Sequence, residues 1–504
     1  MLLAEVVRTS GEVAATPSRS AKVAALAGLL RRLEGPEEAE AAVAFLTGRP
    51  RQGRIGVGWA ALRAVDLPPA PVPSLHVLEV DAALAALAGC AGPRSAVARR
   101  TILGEMLRRA TEPEGEFVRR LLLGDLRQGA LEGVMADALA RATAIPAPVV
   151  RRATMLAGDL PRVAALALAE GEAGLSAVGL EVLRPVLPML ASTAEDVASA
   201  IEAMGRSSVE WKLDGARVQA HRRGDEVRLF TRNLNDVTDR LPGVAEAVRS
   251  LEATDVVLDG EVLGLGDAGP EAFQETMSSF GRRTGPPGRA TLGVWFFDCL
   301  HLDGGDLLDR PLTERAAALA RTGAPRVPAL VTDDVEVAVE FQAAALAAGH
   351  EGVMVKSASS PYEAGRRGSA WRKVKPVHTF DLVVLGAEWG SGRRRGWLSN
   401  LHLGARDPAG GFVMVGKTFK GLTDELLRWQ TAELLSREAS RSAHVVHIDP
   451  VVIVEIAVDG VQASTRYAGG VALRFARVRR YRPDKGPADA DTIDALRSLL
   501  PGRH

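Results

Sequence analysis

The chain has 504 residues, 47% hydrophobic and 25% charged, the composition of a soluble globular protein too long for a single core. Its 62 basic residues balance 62 acidic ones, which excludes a generally polycationic nucleic-acid binder but leaves room for a local basic face. Two cysteines, Cys90 and Cys299, exclude a disulfide framework and a four-cysteine zinc site. The opening MLLAEVVRTS has no basic leader and no apolar run approaches a membrane span, so a cytoplasmic location is expected.

Residues 1–180 predict helices. Val23, Leu26, Leu29, Leu30 and Leu33 follow helical spacing; Gly35-Pro36 then breaks the run, and Glu37 and Glu38 suit the first turn of the next helix. EVLRPVLPML (181–190), with two prolines, reads as a linker. From about 205 the pattern turns to short alternating strands with a few helices between them. After KPVH (375–378) strands continue around one Thr-capped helix, LTDELLRWQTAELLSREA, which fits a small β-barrel of the oligonucleotide-binding kind.

Two motif matches fail on context. GLGDAG (264–269) has dinucleotide-fingerprint spacing, but its strand carries Asp259 and Glu261, where that fold needs a wholly apolar strand; Pro270 and GRRTGPPGR spoil the following helix. Gly411-x4-Gly416-Lys417-Thr418 matches a phosphate-binding loop literally, yet its middle is the apolar strand Phe-Val-Met-Val and no helix follows directly.

Only eight of the basic residues are lysine: Lys22, Lys212, Lys356, Lys373, Lys375, Lys417, Lys420 and Lys485. A chain that uses arginine for most cations marks its lysines as candidates for work arginine cannot do, above all nucleophilic attack by a neutral amine. In EWKLDGARVQAH (210–221), Val209, Trp211 and Leu213 alternate with Glu210, Lys212 and Asp214, which predicts one strand with an apolar and a charged face. On pattern alone that charged face is a solvated sheet surface.

Company changes the reading. Lys212-x-Asp214-Gly215-x-Arg217 is followed by FTRN with Arg232, LDGEV with Asp259 and Glu261, and FFDCL with Phe296 and Phe297. EGVMVKS then brings Glu351 and Lys356, WRKVK brings Trp371, Lys373 and Lys375, and LRFARVRRYRPDK brings Arg474, Arg477, Asp484 and Lys485. This set and order resemble the covalent nucleotidyltransferases, in particular the ATP-dependent DNA ligases, over residues 184–486. The helical third, including LLLGDLRQGALEGVMADAL, resembles the DNA-binding domain of three-domain ligases.

The resemblance implies an all-α DNA-binding domain (1–180), an α+β nucleotidyltransferase domain with antiparallel sheets (181–377) and a C-terminal OB-fold β-barrel (378–504). It implies nick sealing in duplex DNA with ATP and Mg²⁺ as cofactors, by a cytoplasmic, nucleoid-associated monomer. Lys212 would attack the α-phosphate to form Lys–AMP, and Asp214 would act near the nick phosphate in the later steps. Lys373 and Lys375 would stabilise developing phosphate charge. Glu210 would read the adenine amino edge and Phe297 stack on the ring, with strand alternation leaving Phe296 or Phe297 for the core. Arg217, Arg232, Arg474 and Lys485 would contact the nucleotide, and Glu261 and Glu351 would hold the metal. Lys356 has opposite strand parity to Glu351, so the two would share a site only if the strand ends or bulges. Arg127 and Gly129 would lie near DNA phosphates. RNA ligases and capping guanylyltransferases are the nearest rivals, and the large helical domain argues against both.

Overall fold

The computed structural model describes residues 1–504 apart from 54, 66, 93–94, 127–131, 267–268, 271–290, 364–366, 443 and 501–504. Arg127, Gly129 and the GRRTGPPGR stretch therefore lie outside the described residues. The chain forms two compact units. One holds Met1–Thr193, Ile201–Asp333 and Val355–Arg372; the other holds Ala194–Ala200, Asp334–Met354 and Lys373–His504.

The first unit begins with helices running from Leu3–Ala15 to Leu160–Ser176. Their apolar stripes meet in a core containing Leu26, Phe45, Leu84 and Leu139, each wholly buried. Burial of each such side chain is worth about 2 kcal/mol, more than helical propensity supplies in stretches this short. The Gly35-Pro36 break stands as expected, with Pro36 opening the helix Pro36–Leu46. Thr111 and Glu114 form a capping box at the start of Glu112–Leu123, which Gly124 closes in the left-handed conformation at φ 68°.

Residues 181–189, expected as a linker, contain no helix or strand but are not a free tether. The Val186 amide donates to Gln219 Oε1 (2.9 Å), Leu183 N–H donates to His221 Nδ1 (3.1 Å), and Leu187 N–H donates to the Met155 carbonyl (2.9 Å). The prolines keep the segment irregular, and these bonds satisfy its buried backbone.

Strands follow, as the alternation predicts, in two sheets, of which the first described is antiparallel throughout. One has the strand order Glu226–Thr231, Ala216–Arg223, Asp255–Gly266, Thr291–Leu302, Gly305–Asp306. A second has the order Leu190–Thr193, Arg367–Val374, Val353–Ser357, Ser207–Trp211, Ala329–Thr332. Beside the dinucleotide-like GLGDAG, Gly269–Pro270 pairs antiparallel with Leu265 and Gly266.

In the second unit, Phe412–Thr418, Leu398–Arg406, His378–Trp389, Val445–Ile448 and Glu438–Arg441 pair in that order, and Ile453–Val458 joins His378–Trp389 to Arg477–Tyr481. Among the described residues this seven-stranded sheet does not close into the expected barrel. Thr423 caps the helix Asp424–Ser436, accepting from Leu426 N–H (3.2 Å). Lys417 of the phosphate-loop look-alike lies in a paired strand with its ammonium on Glu388.

Candidate active site

The strand expected to run through Lys212 stops one residue short of it. Ser207–Trp211 belongs to the five-stranded sheet and Ala216–Arg223 to the other, so Lys212–Gly215 is the four-residue crossing between two sheets. Glycine is required at its end. A Cβ on Gly215 would lie 2.3 Å from the Val262 carbonyl oxygen and 3.0 Å from Glu261 Cγ. The alternation therefore fails as a surface pattern: Glu210 is buried, and Lys212 and Asp214 are half-buried.

Glu210 and Lys356 meet across neighbouring strands. The Lys356 ammonium lies 2.5 Å from Glu210 Oε2, and Ser208 Oγ donates to Glu210 Oε1 at 3.0 Å. That ammonium also sits over two rings, 4.4 Å from the Phe297 centroid and 4.2 Å from that of Trp371. Burial raises the Glu210 carboxyl above its usual range, and the Lys356 charge opposes that shift. Of the two phenylalanines, Phe296 is core at 1% exposure and Phe297 keeps an open side. Glu351 precedes the strand Val353–Ser357, so strand parity does not relate it to Lys356, which pairs with Glu210 while Glu351 pairs with Lys375.

Arg217 is held rather than free. It grips Asp259 through Nε (2.9 Å) and Nη2 (2.6 Å) and donates from Nη1 to the Met189 carbonyl (2.7 Å). Tyr362 Oη donates to Asp259 Oδ2 (2.7 Å) and accepts from Met189 N–H (3.0 Å). Burial would lower the guanidinium pKa, but Asp259 overrides it and holds the charge on. Glu261 is the register partner of Arg217 on the adjacent strand. This geometry fixes Arg217, expected to contact the nucleotide, two residues beyond the Lys212–Gly215 crossing. Arg232 is exposed, just beyond the strand Glu226–Thr231.

The second unit gathers a separate group. Lys375 Nζ donates to Glu351 (2.9 Å) and lies 4.0 Å from Asp459, while Arg474 lies 4.0 Å from Glu351. Lys373 is half-buried near the end of Arg367–Val374, and its carbonyl accepts from Ala194 N–H (3.1 Å). Lys485 and Arg482 converge on Asp381, and Arg482 also holds Asp484 (2.6 Å), whose carboxyl it depresses to about 2.

No three His, Cys, Asp or Glu side chains cluster as a metal cage among the described residues. The donor chemistry suits Mg²⁺ in its other common mode, one or two carboxylates completed by substrate phosphates. Glu261 in the first unit and Glu351 in the second each carry hard oxygens of that kind. Sequence reasoning passed over Tyr362 and Ser208, which carry no motif of their own and become visible only through what they touch.

A helical N-terminal region, two sheets joined by a four-residue crossing and a C-terminal sheet unit are the architecture of a protein with a nucleotidyltransferase domain. Comparison with known proteins is more specific. Residues 188–375 match the ATP dependent DNA ligase domain, 394–485 the ATP dependent DNA ligase C terminal region, and 61–140 the DNA ligase N terminus. The chain is 56% identical to a "Probable DNA ligase" of Rhodococcus jostii (strain RHA1) over the full length of both, and 58% identical to one of Saccharopolyspora erythraea over 99% of this chain and 98% of that one. The solved structure "Pmar-Lig_PreS3" superposes with a TM-score of 0.62 at 19% identity, covering 95% of this chain and 99% of that chain, a likeness of fold. The chain belongs to the ATP-dependent DNA ligase family. Among the described residues no helix is long and apolar enough to cross a membrane.

Proposed function

We propose that this ligase seals nicks in duplex DNA through a covalent Lys212–AMP intermediate, acting as a monomer in the cytoplasm beside the nucleoid, with residues 1–180, 181–377 and 378–504 as its working domains. The supporting observation is the position of Lys212 on the four-residue link between the two sheets described above, two residues from the buried Glu210. The neutral Lys212 amine attacks the α-phosphorus of ATP; the N–P bond forms and the bond to pyrophosphate breaks. A 5′-phosphate oxygen at the nick then displaces the lysine, giving AMP–DNA. Finally the 3′-hydroxyl attacks that 5′-phosphate, forming the phosphodiester and releasing AMP.

Side chains divide the work. A lysine of ordinary pKa about 10.4 is protonated at neutral pH, so its amine must lose a proton before attack. Lys373 and Lys375 stabilise charge on the phosphate, and Asp214 serves the later steps at the nick. Glu261 and Glu351 would hold Mg²⁺, which when bound neutralises triphosphate charge. Arg474 and Lys485 orient the leaving pyrophosphate, and Arg232 lies within the same family pattern. The test is Lys212→Arg, which keeps the charge and removes the nucleophile. Incubation with labelled ATP and Mg²⁺ should give a covalent adduct in the parent protein and none in the variant. An adduct of equal yield in the variant would reject Lys212.

A further inference from the structure

We propose that Asp381 is a resting post for Lys485: it holds that ammonium while no triphosphate is bound, gives it up to the phosphates of ATP, and takes it back as pyrophosphate leaves. This rests on the reading above, that Lys485 orients the leaving pyrophosphate.

The post lies on the strand His378–Trp389 and is fixed there. Asp381 N–H donates to Asp491 Oδ2 (2.7 Å), its carbonyl accepts from Asp491 N–H (2.8 Å), and the residue is 8% exposed. Two cations share its carboxylate. Lys485 Nζ lies 2.5 Å from Oδ2, and Arg482 Nη1 donates to both oxygens, at 3.1 and 3.3 Å.

The two cations are not held alike. Arg482 also grips Asp484 (2.6 Å) and lies 3.6 Å from Glu455, the register partner of Asp381 on the neighbouring strand. Lys485 pairs with Asp381 alone among the described residues, and its side chain is 32% exposed against 15% for Arg482. A planar fork set among three carboxylates is committed to them, whereas an ammonium on a flexible four-carbon stem can exchange one oxygen for another.

Arg482 is what makes that exchange easy. A buried carboxylate left without a partner is strongly unfavourable, but Arg482 still spans both Asp381 oxygens after Lys485 departs. The triphosphate carries more charge than one carboxylate and outcompetes it for the lysine. Competition with Asp381 scales the apparent affinity for ATP, and for pyrophosphate, by the fraction of time that Lys485 is free. A purely structural pair, pinning residues 482–486 to the sheet, would show no such competition.

The experiment measures Lys212 labelling against ATP concentration, and its reversal by inorganic pyrophosphate, in Asp381→Asn, Arg482→Gln and the double variant. In Asp381→Asn the ATP concentration for half-maximal labelling should fall about three- to tenfold, and the pyrophosphate needed to discharge Lys212–AMP should fall with it. In Arg482→Gln the lysine is the only cation left on Asp381, so both concentrations should rise about tenfold or more. Removing the carboxylate as well should restore them to the parent values or below. Asp381→Ser takes the place of Asp381→Asn should the latter not fold. Concentrations that rise or stay unchanged in Asp381→Asn, or losses that add in the double variant, would make the pair purely structural and overturn the proposal alone. Lys485→Met separates the two readings: labelling by ATP as efficient as in the parent protein would overturn the role of Lys485, and this proposal with it.

Discussion

Arg217 and Asp259 face each other through two nearly parallel hydrogen bonds, 2.9 and 2.6 Å long, with the Asp259 side chain 1% exposed. The planar fork of arginine meets both carboxylate oxygens at once, a geometry lysine cannot reproduce. Tyr362 and the Met189 carbonyl complete the shell, so the pair ties the segment before the first strand to the start of Ala216–Arg223.

Asp259→Ala should strand a buried guanidinium and cost about 3–5 kcal/mol of stability. Arg217→Lys should cost less but still slow Lys212 labelling, because the fork that fixes the residue just beyond the crossing is lost. Urea denaturation of both variants beside the parent protein provides the measurement. A stability change for Asp259→Ala smaller than that for an exposed ion pair such as Arg249–Glu246 would show that the network carries no weight.

His221 supplies a pH dependence. Burial drives its pKa from 6.5 down to about 3, and Nδ1 accepts from Leu183 N–H, so the folded protein holds the neutral ring. The unfolded chain takes up a proton at 6.5 and the folded protein does not, so stability is complete above that pH and falls as pH drops from 6.5 towards 3. At pH 5 the loss from this one group is about 2 kcal/mol. In His221→Gln the difference in urea stability between pH 7 and pH 5 should shrink by that amount, whatever the variant loses at pH 7. An unchanged difference would place the acid sensitivity elsewhere.

Asp484→Ala combined with Lys485→Ala should separate the reaction steps. Lys485, beyond the strand Arg477–Tyr481, is anchored on Asp381 of the same unit, and its proposed task concerns only the pyrophosphate that leaves in the first step. ATP-dependent sealing should fall by about tenfold or more, while sealing of pre-adenylated nicked DNA should keep most of its rate. Equal losses on both substrates would contradict that division of labour.

A chain beginning at Glu181 should retain Lys212 labelling, since every residue named in the proposed chemistry is C-terminal to it. Its affinity for nicked duplex should drop by about tenfold or more, and sealing should become more sensitive to salt. Titrating both proteins on one nicked oligonucleotide at two salt concentrations measures this. Equal affinities would mean that the helices do not grip DNA.

Much of this was legible in the residues. Scarcity of lysine pointed to Lys212, Lys356, Lys373 and Lys375, and helical spacing gave the first 180 residues. The choice of Phe297 over Phe296 came from family likeness, because alternation alone puts one ring inside without saying which. What escaped was long-range. Strand periodicity cannot show that the chain leaves one sheet at Trp211 and enters another at Ala216, because the alternation continues across the crossing by coincidence. Nor can local pattern show that Arg217 is occupied by Asp259, 42 residues away, or that Tyr362 closes the shell over both.

The anchored segment 181–189 has a practical side. Irregular backbone between a helical region and a sheet is where a protease normally cuts. Here three amides are engaged by Met155, Gln219 and His221, and Val186 is wholly buried. Arg184 is the one residue of this stretch that trypsin recognises, but Pro185 after it blocks that enzyme whatever the fold, so the informative probe is a protease of broad specificity. Brief digestion should leave the N-terminal helices attached to the catalytic sheets, so the two would have to be separated in the gene and could not be released by the enzyme.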